Sequence, residues 1–325
     1  MKYKKTMPLI VMILSMLCMS ACGMQNPDSN LADAKARVVV ITKSTVSSYW
    51  KTTFAGAKAA GAEYNLDISF MGPDNEEDYE SQNEMIRQAV KDGAKAIVFS
   101  AVDYNANAEV VNEAIAQGVK VINIDSAVNS EKVSCYISTD NYKAGEMVGQ
   151  ALLESSTEKL KVGIVNFAAV TDNGQRRENG FRDFVTDSER VELVASINVN
   201  STTEDAKAGT LKLLREYPQI NAIVTFNEWT SLGVGYAIQE LNLSDRTYVV
   251  AFDSNVVSVD MLETGEVDAL IVQNPYAIGY LGVEYAVKLI NGESLKEKVI
   301  NTTTTLITRE NMFEPENQKV LFSFD

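Results

Sequence analysis

From Arg37 onward, short runs of Val, Ile and Phe alternate with longer stretches whose apolar residues recur every three or four positions. "RVVVIT" (37–42) precedes a helical pattern from Tyr49 to Tyr64, and "LDISFMG" (66–72) precedes one from Glu76 to Lys91. "AKAIVFSA" (94–101) precedes one from Asn105 to Ala116, and "VKVINID" (119–125) follows. Near-continuous apolar strands point to a sheet covered on both faces, and their alternation with helices points to βαβ units and parallel strands. The series then restarts with "KVGIVNF" (161–167), "VELVASINV" (191–199), "NAIVTFN" (221–227), "TYVVAFD" (247–253) and "VDALIVQ" (267–273). Helical patterns around Glu178–Thr186, Thr203–Tyr217, Ser231–Leu241 and Asn255–Thr264 separate these strands.

Two successive βα series predict an α/β protein of two similar doubly wound, Rossmann-like lobes, each built on a parallel sheet. No low-complexity linker parts them, so the lobes are joined by strand-like crossings near Thr139, Asn274 and Asn301. Polar residues recur at the strand ends: Thr42-Lys43, Asp125, Asn166, Asn227, Asp253 and Gln273. Ligands of open parallel sheets bind outside the carboxyl ends of the strands. Each such residue also suits a helix cap, but six together predict a lined cleft.

The N-terminus changes where this fold is expected to work. "MKYKK" is basic, Met7 to Met19 is almost wholly apolar, and Ser20-Ala21 are small, the order of a secretory signal peptide. The apolar run is shorter than the roughly 20 residues that a membrane-spanning helix needs. "MSAC" resembles the bacterial lipobox, with Met19 where Leu is commoner, and this resemblance implies that Cys22 carries lipid after cleavage. "GMQNPDSNLADAKA" then reads as a polar, flexible tether. The chain is therefore expected outside the cytoplasmic membrane, anchored through acyl chains.

Of the three cysteines, Cys135 alone remains in the mature domain, so an intrachain disulfide is excluded; its alternating surroundings mark it as a small buried residue. The formal charge is −15, and loss of Lys2, Lys4 and Lys5 with the signal peptide takes it to about −18. Such a balance argues against nucleic acid or anionic lipid surfaces as partners. There is no histidine, which removes Ser-His triads and His-metal sites. No P-loop or G-x-S-x-G occurs, and "GVGY" (233–236) lacks the third glycine of a dinucleotide fingerprint. An enzyme is thus disfavoured, and neither cofactor nor metal is expected. The acidic "DNEEDYESQNE" (74–84) lacks the glycine of a calcium loop and reads as acids favoured at a helix N-terminus.

"SSYWKTTFAGAKAAGAEYN", "QNEMIRQAVKDGAKAIVFSAVD", "YISTDNYKAGEMVG", "RENGFRDF", "YPQINAIVTFNEWTSLGV", "VVAFDS" and "VQNPYAIGYLGVEYAVKLINGE" follow one another in an order that resembles the type I periplasmic binding proteins, the ribose- and galactose-binding family. The resemblance runs from Arg37 to about Glu310. It implies two lobes joined by three crossovers, residues 37–138 with 275–302 and residues 139–274 with 303–325. They follow a signal peptide at 1–21 and a tether at 22–36. It further implies that Tyr49 and Trp50 flank a sugar ring, and that Asp125, Asn227, Asp253 and Gln273 hydrogen-bond its hydroxyls. The position of a ligand-gripping arginine falls on Gln175, with Arg176 and Arg177 next to it. Arg176 is taken into the candidate set. Ser201 stands where an aromatic residue is common. Lys43 either faces the ligand or offsets Asp125 and Asp253.

The implied role is that of a monomeric solute-binding lipoprotein that captures a carbohydrate or polyol by lobe closure and delivers it to the permease and ATPase of an ABC importer. A sensor subunit that presents its ligand to a chemoreceptor or membrane kinase is the alternative. The effector lobe of a lactose-repressor-type regulator shares the fold, but such a protein needs a DNA-reading segment where this chain has a signal peptide.

Overall fold

The structure, a computed structural model, describes residues 35–322. The expected signal peptide, the expected lipid site Cys22 and nearly all of the expected tether lie outside the described residues. Ten strands follow in the order expected, with a helix between each pair except β4 and β5: β1 (Arg37–Ile41), β2 (Asp67–Met71), β3 (Ala96–Phe99), β4 (Lys120–Ile124), β5 (Cys135–Thr139), β6 (Leu160–Phe167), β7 (Val191–Val199), β8 (Ala222–Thr225), β9 (Tyr248–Phe252) and β10 (Ala269–Val272). Two short strands follow, β11 (Val299–Thr302) and β12 (Thr305–Thr308). They form two six-stranded sheets, ordered β11-β5-β4-β3-β1-β2 and β12-β10-β9-β8-β6-β7. All neighbours are parallel except β10 and β12.

Each central strand is buried along nearly its whole length because helices cover both faces. In the first sheet Val39 and Ile41 pack toward one helical layer, while Val38 and Val40 pack toward the other. The second sheet repeats this, with Ile164 and Val250 on one side and Val165 and Val249 on the other. Cys135 is buried in β5, where burial pushes its thiol up to about 12. That is the inert thiol its surroundings predict.

The helices are α1 (Ser48–Glu63), α2 (Tyr79–Lys91), α3 (Ala108–Ala116), α4 (Asn141–Glu154), α5 (Asp172–Val185), α6 (Thr203–Glu216), α7 (Glu228–Leu241), α8 (Val256–Thr264), α9 (Pro275–Ile290) and α10 (Pro315–Leu321). Two of them, α4 and α9, are not singled out by the apolar period. Each begins directly after the chain has left one sheet and packs on the other. α4 follows β5 but lies against α5 and β9, whereas α9 follows β10 but lies against α1 and β4. A third crossing joins β11 to β12.

Glycine sets the spacing of both helix pairs. A Cβ on Gly279 would stand 1.9 Å from the Thr53 carbonyl oxygen, and one on Gly56 would stand 2.0 Å from that of Tyr276. In the α4–α5 pair, Gly145 faces the Arg177 carbonyl at 2.0 Å and Gly180 that of Tyr142 at 2.1 Å. The two backbones in each pair are therefore in contact, which a side chain on any of these glycines would prevent.

Candidate functional site

The strand ends meet across a cleft. Asp125 follows β4 and Asp253 follows β9, at corresponding places in the two sheets. Both have left-handed backbones, with φ of 53° and 65°. Both amides still bond the neighbouring strand, Asp125 to the Ile137 carbonyl at 3.0 Å and Asp253 to that of Ile271 at 2.9 Å. A left-handed non-glycine residue costs conformational energy and tends to mark a functional position. Here it ends each strand with a carboxylate in the wall of one cavity.

Around Asp125, the Tyr49 hydroxyl donates to Oδ1 and the Ser100 hydroxyl to Oδ2, each at 2.9 Å. Asn173 of α5 approaches both oxygens at 3.4 Å from the opposite lobe. Burial, then the Asp125 and Asp253 charges, raises the Tyr49 hydroxyl well above the ordinary tyrosine value, so it stays a proton donor. Asp253 accepts from Gln273 Nε2 at 2.8 Å. Burial pushes its carboxyl up to about 7, while the Arg177 charge and the Gln273 bond pull it back. Gln273 Oε1 in turn accepts from Thr139 Oγ1 at 2.8 Å and Arg177 Nη2 at 2.7 Å. The Arg177 guanidinium also donates to Asn141 Oδ1 and the Phe226 carbonyl, and lies over the Phe252 ring at 4.6 Å.

The aromatic wall is Tyr49 and Trp50, edge to face with centroids 4.9 Å apart. Trp50 is held in one orientation because its Nε1–H donates to Glu76 Oε1 at 2.7 Å. Glu76 Oε2 lies 3.3 Å from Lys43 Nζ, a pair with both side chains almost wholly buried. Of the two readings of Lys43, the charge it offsets is Glu76 and not Asp125 or Asp253, and its ammonium also stands 5.2 Å from the Phe167 ring centre. Asn227 caps α7 in a capping box with Thr230, and its amide donates to Ser201 Oγ at 2.7 Å while the residue also lines the cavity.

Lys43, Tyr49, Trp50, Asp125, Asn227, Asp253 and Gln273 therefore converge on one narrow polar space between the strand ends. Gln175 and Arg176 do not reach it. On α5 the inward positions run Asn173, Arg177 and Phe181, four residues apart, so Arg176 points away. It pairs with Asp172 at 2.8 Å, its side chain largely in water. The arginine in the wall is Arg177, fully buried.

Sequence reasoning also misses Glu76, Asn173, Glu228 and Trp229, all of which line the cavity. In the acidic stretch 74–84, Asp78 does cap α2 by accepting the Ser81 amide, but Glu76 turns inward instead. Glu228 and Trp229 follow Asn227 directly, so the strand-end rule extended by one helical turn would have found them. Four carboxylates (Glu76, Asp125, Glu228 and Asp253) face two cations (Lys43 and Arg177) across this space. Such a wall accepts hydrogen bonds from neutral, polyhydroxylated molecules. Among the described residues no three His, Cys, Asp or Glu side chains gather as metal ligands do.

Two α/β lobes with a polar cavity at their facing strand ends define a two-lobed solute-binding protein. The chain belongs to the periplasmic binding proteins, since the model of the periplasmic binding protein domain matches residues 38–294. A D-ribose/D-allose-binding protein of Pseudomonas aeruginosa is 28% identical over 305 residues, covering 90% of this chain and 93% of that one. A carbohydrate-transporter solute-binding protein of Agrobacterium radiobacter, solved in complex with D-arabinose, is 29% identical with a TM-score of 0.85. The match covers 89% of this chain and 99% of that one. A sugar transporter of Clostridium phytofermentans is 31% identical with a TM-score of 0.78, over 85% of this chain and all of that one (100%).

Proposed function

We propose that this chain is the sugar-capturing subunit of an ABC importer, working outside the cytoplasmic membrane and held there by lipid on Cys22. The observation that carries the reading is the pair of left-handed aspartates, Asp125 and Asp253, presented from opposite lobes to one cavity beside Trp50. A monosaccharide or small polyol suits this lining, with hydroxyls donating to the carboxylates and an apolar face against the indole. Asn227 and Gln273 supply further directional bonds, and Arg177 replaces Gln175 and Arg176 as the arginine at the ligand.

Capture is non-covalent. Taking the lobes as 37–138 with 275–302 and 139–274 with 303–325, closure about the three crossings lets one ligand touch both. The ligand favours the closed form by its extra contacts there. The lipobox-like "MSAC" and the tether behind it support anchoring close to a permease and ATPase carried on separate chains.

A thermal-shift screen against D-ribose, D-allose, D-arabinose and D-fucose tests the reading. A ligand that binds only the folded state raises the melting temperature by mass action. At least one of these sugars is expected to do so, and Asp253→Ala and Trp50→Ala to abolish the shift while each variant still melts cooperatively. Full shifts in both variants would remove the site assignment. Cys22→Ser is expected to move the protein from the membrane to the soluble fraction, and unchanged partitioning would end the anchor proposal.

A further inference from the structure

The cleft is bridged by contacts made wholly within the chain. Glu228 opens α7 in the second lobe and is steadied there by Asn255, whose Nδ2 donates to Oε1 at 2.9 Å. The same carboxylate accepts the backbone N–H of Ser48 at 3.3 Å and of Tyr49 at 3.1 Å, the first two residues of α1 in the other lobe. The opening amides of a helix have no partner within it. The Ser47 side chain satisfies only the Trp50 amide, so α1 is completed by a carboxylate from across the cleft.

The reverse arrangement stands between the β2–α2 and β7–α6 loops. Here the first lobe supplies the acids. Glu77 Oε1 accepts the Ser201 backbone N–H at 2.8 Å, and Glu76 Oε2 accepts the Ser201 hydroxyl at 2.9 Å. Each lobe thus gives carboxylate oxygens and receives them.

We propose that Glu228 and the Glu76–Glu77 pair are reciprocal clasps that draw the lobes together through donors on the opposite lobe, so that part of the closing free energy is independent of the ligand. The proposal rests on the capture-by-closure reading. A carboxylate bonded to backbone amides makes charge-assisted bonds, strengthened at α1 by the positive end of the helix dipole. Water solvates the same oxygens when the lobes part, so the net effect biases the equilibrium without locking it. Apparent affinity scales with the fraction of protein in the binding-competent state. Weakening a clasp therefore lowers affinity for every sugar by one common factor, which the loss of a ligand contact would not do.

Glu77 is the clean probe, because it bridges the lobes without lining the cavity. Small-angle scattering of the ligand-free protein and calorimetric titration with D-ribose, D-allose and D-arabinose are compared for wild type, Glu77→Ala and Glu77→Gln. Glu77→Ala is expected to raise the ligand-free radius of gyration. It is also expected to weaken each bound sugar roughly three- to tenfold, the effect of one hydrogen bond, with their rank order unchanged. Glu77→Gln keeps an acceptor oxygen and is expected to recover most of both. Asn255→Asp gives a second route, because it retains the acceptor that caps α8 but replaces the donor to Glu228 with a like charge. It is expected to open the protein in the same direction. Unchanged scattering in Glu77→Ala and Asn255→Asp, or a reordering of the sugars, would overturn the clasp. If the wild type binds none of the three sugars the capture reading falls, while the ligand-free scattering still decides the clasp.

Discussion

Asp253 is enclosed on every side by groups that set its charge: Arg177 and Gln273 favour the carboxylate, while burial, Glu228 and Asp125 oppose it. With its pKa pushed up to about 7, the folded chain keeps a proton that the unfolded chain has lost near the ordinary carboxylate value. The stability this confers is fully present below the unfolded pKa and is lost as pH rises through about 7. The ligand-free melting temperature is therefore expected to fall between pH 5 and pH 8, and to fall less in Asp253→Asn. Asp268, pushed up by burial to about 6, contributes in the same direction, so the difference between the two proteins is the quantity to measure. A bound sugar hydroxyl donates to the ionised form, so binding near pH 7 releases protons. Titration calorimetry in two buffers of unlike ionisation enthalpy is expected to show that release in wild type and not in Asp253→Asn. A buffer-independent heat in wild type would take Asp253 out of contact with the ligand's hydroxyls. Asp253 itself is legible in the sequence, because it is one of six polar residues at strand ends that together predict a lined cleft. Its raised pKa is not, because that depends on Arg177, Glu228 and Asp125, which the fold brings from three other elements.

The strands could be read because each is covered on both faces, which leaves an unbroken apolar run. Helices were harder where they face the cleft. α5 begins at Asp172, six residues before the apolar period starts, and its first turns read Asp-Asn-Gly-Gln-Arg-Arg. Its inward positions there are polar because the space they face is polar, so hydrophobic periodicity vanishes at the functional end. That is why the sequence alone does not separate Arg177, which lines the cavity, from Arg176, which does not. The glycine-spaced pairs escaped for the opposite reason: α4 and α9 press small residues against a neighbouring backbone rather than large ones into a core. Their cost can be measured. Gly279→Ala drives a Cβ into the Thr53 carbonyl, which α1 and α9 can relieve only by separating. It is expected to destabilise by about 1–3 kcal/mol, read as a lowered urea midpoint. Gly93 has φ of +81° and open space where a Cβ would stand, so Gly93→Ala carries backbone strain alone, about 1 kcal/mol. Equal midpoints for the two variants would show that the α1–α9 contact has room to give.

At the scale of the whole molecule, charge and cleft act together. The chain carries a formal −15, and four carboxylates against two cations line the cavity. Both its tryptophans, Trp50 and Trp229, lie in that lining. The Lys43 ammonium is not free to receive an anion in this structure, because it is paired with Glu76 and buried with it. Turning it toward a ligand carboxylate would strand Glu76, and an unpaired buried charge is costly. An acidic sugar would also approach against the field of the whole protein, which slows its association at low salt. D-glucuronate and D-galacturonate are therefore expected to bind at least tenfold more weakly than a neutral sugar that binds well, a difference of about 1.4 kcal/mol. With no tryptophan outside the site, intrinsic fluorescence reports on the cleft alone. A neutral ligand is expected to shift the emission saturably, and Trp229→Phe to reduce the change while leaving Trp50 to report. If the sugar acids titrate with the higher affinity, Lys43 must leave Glu76 on binding. Lys43→Met would then abolish that preference, whereas with the pair intact it leaves Glu76 uncompensated and weakens every ligand.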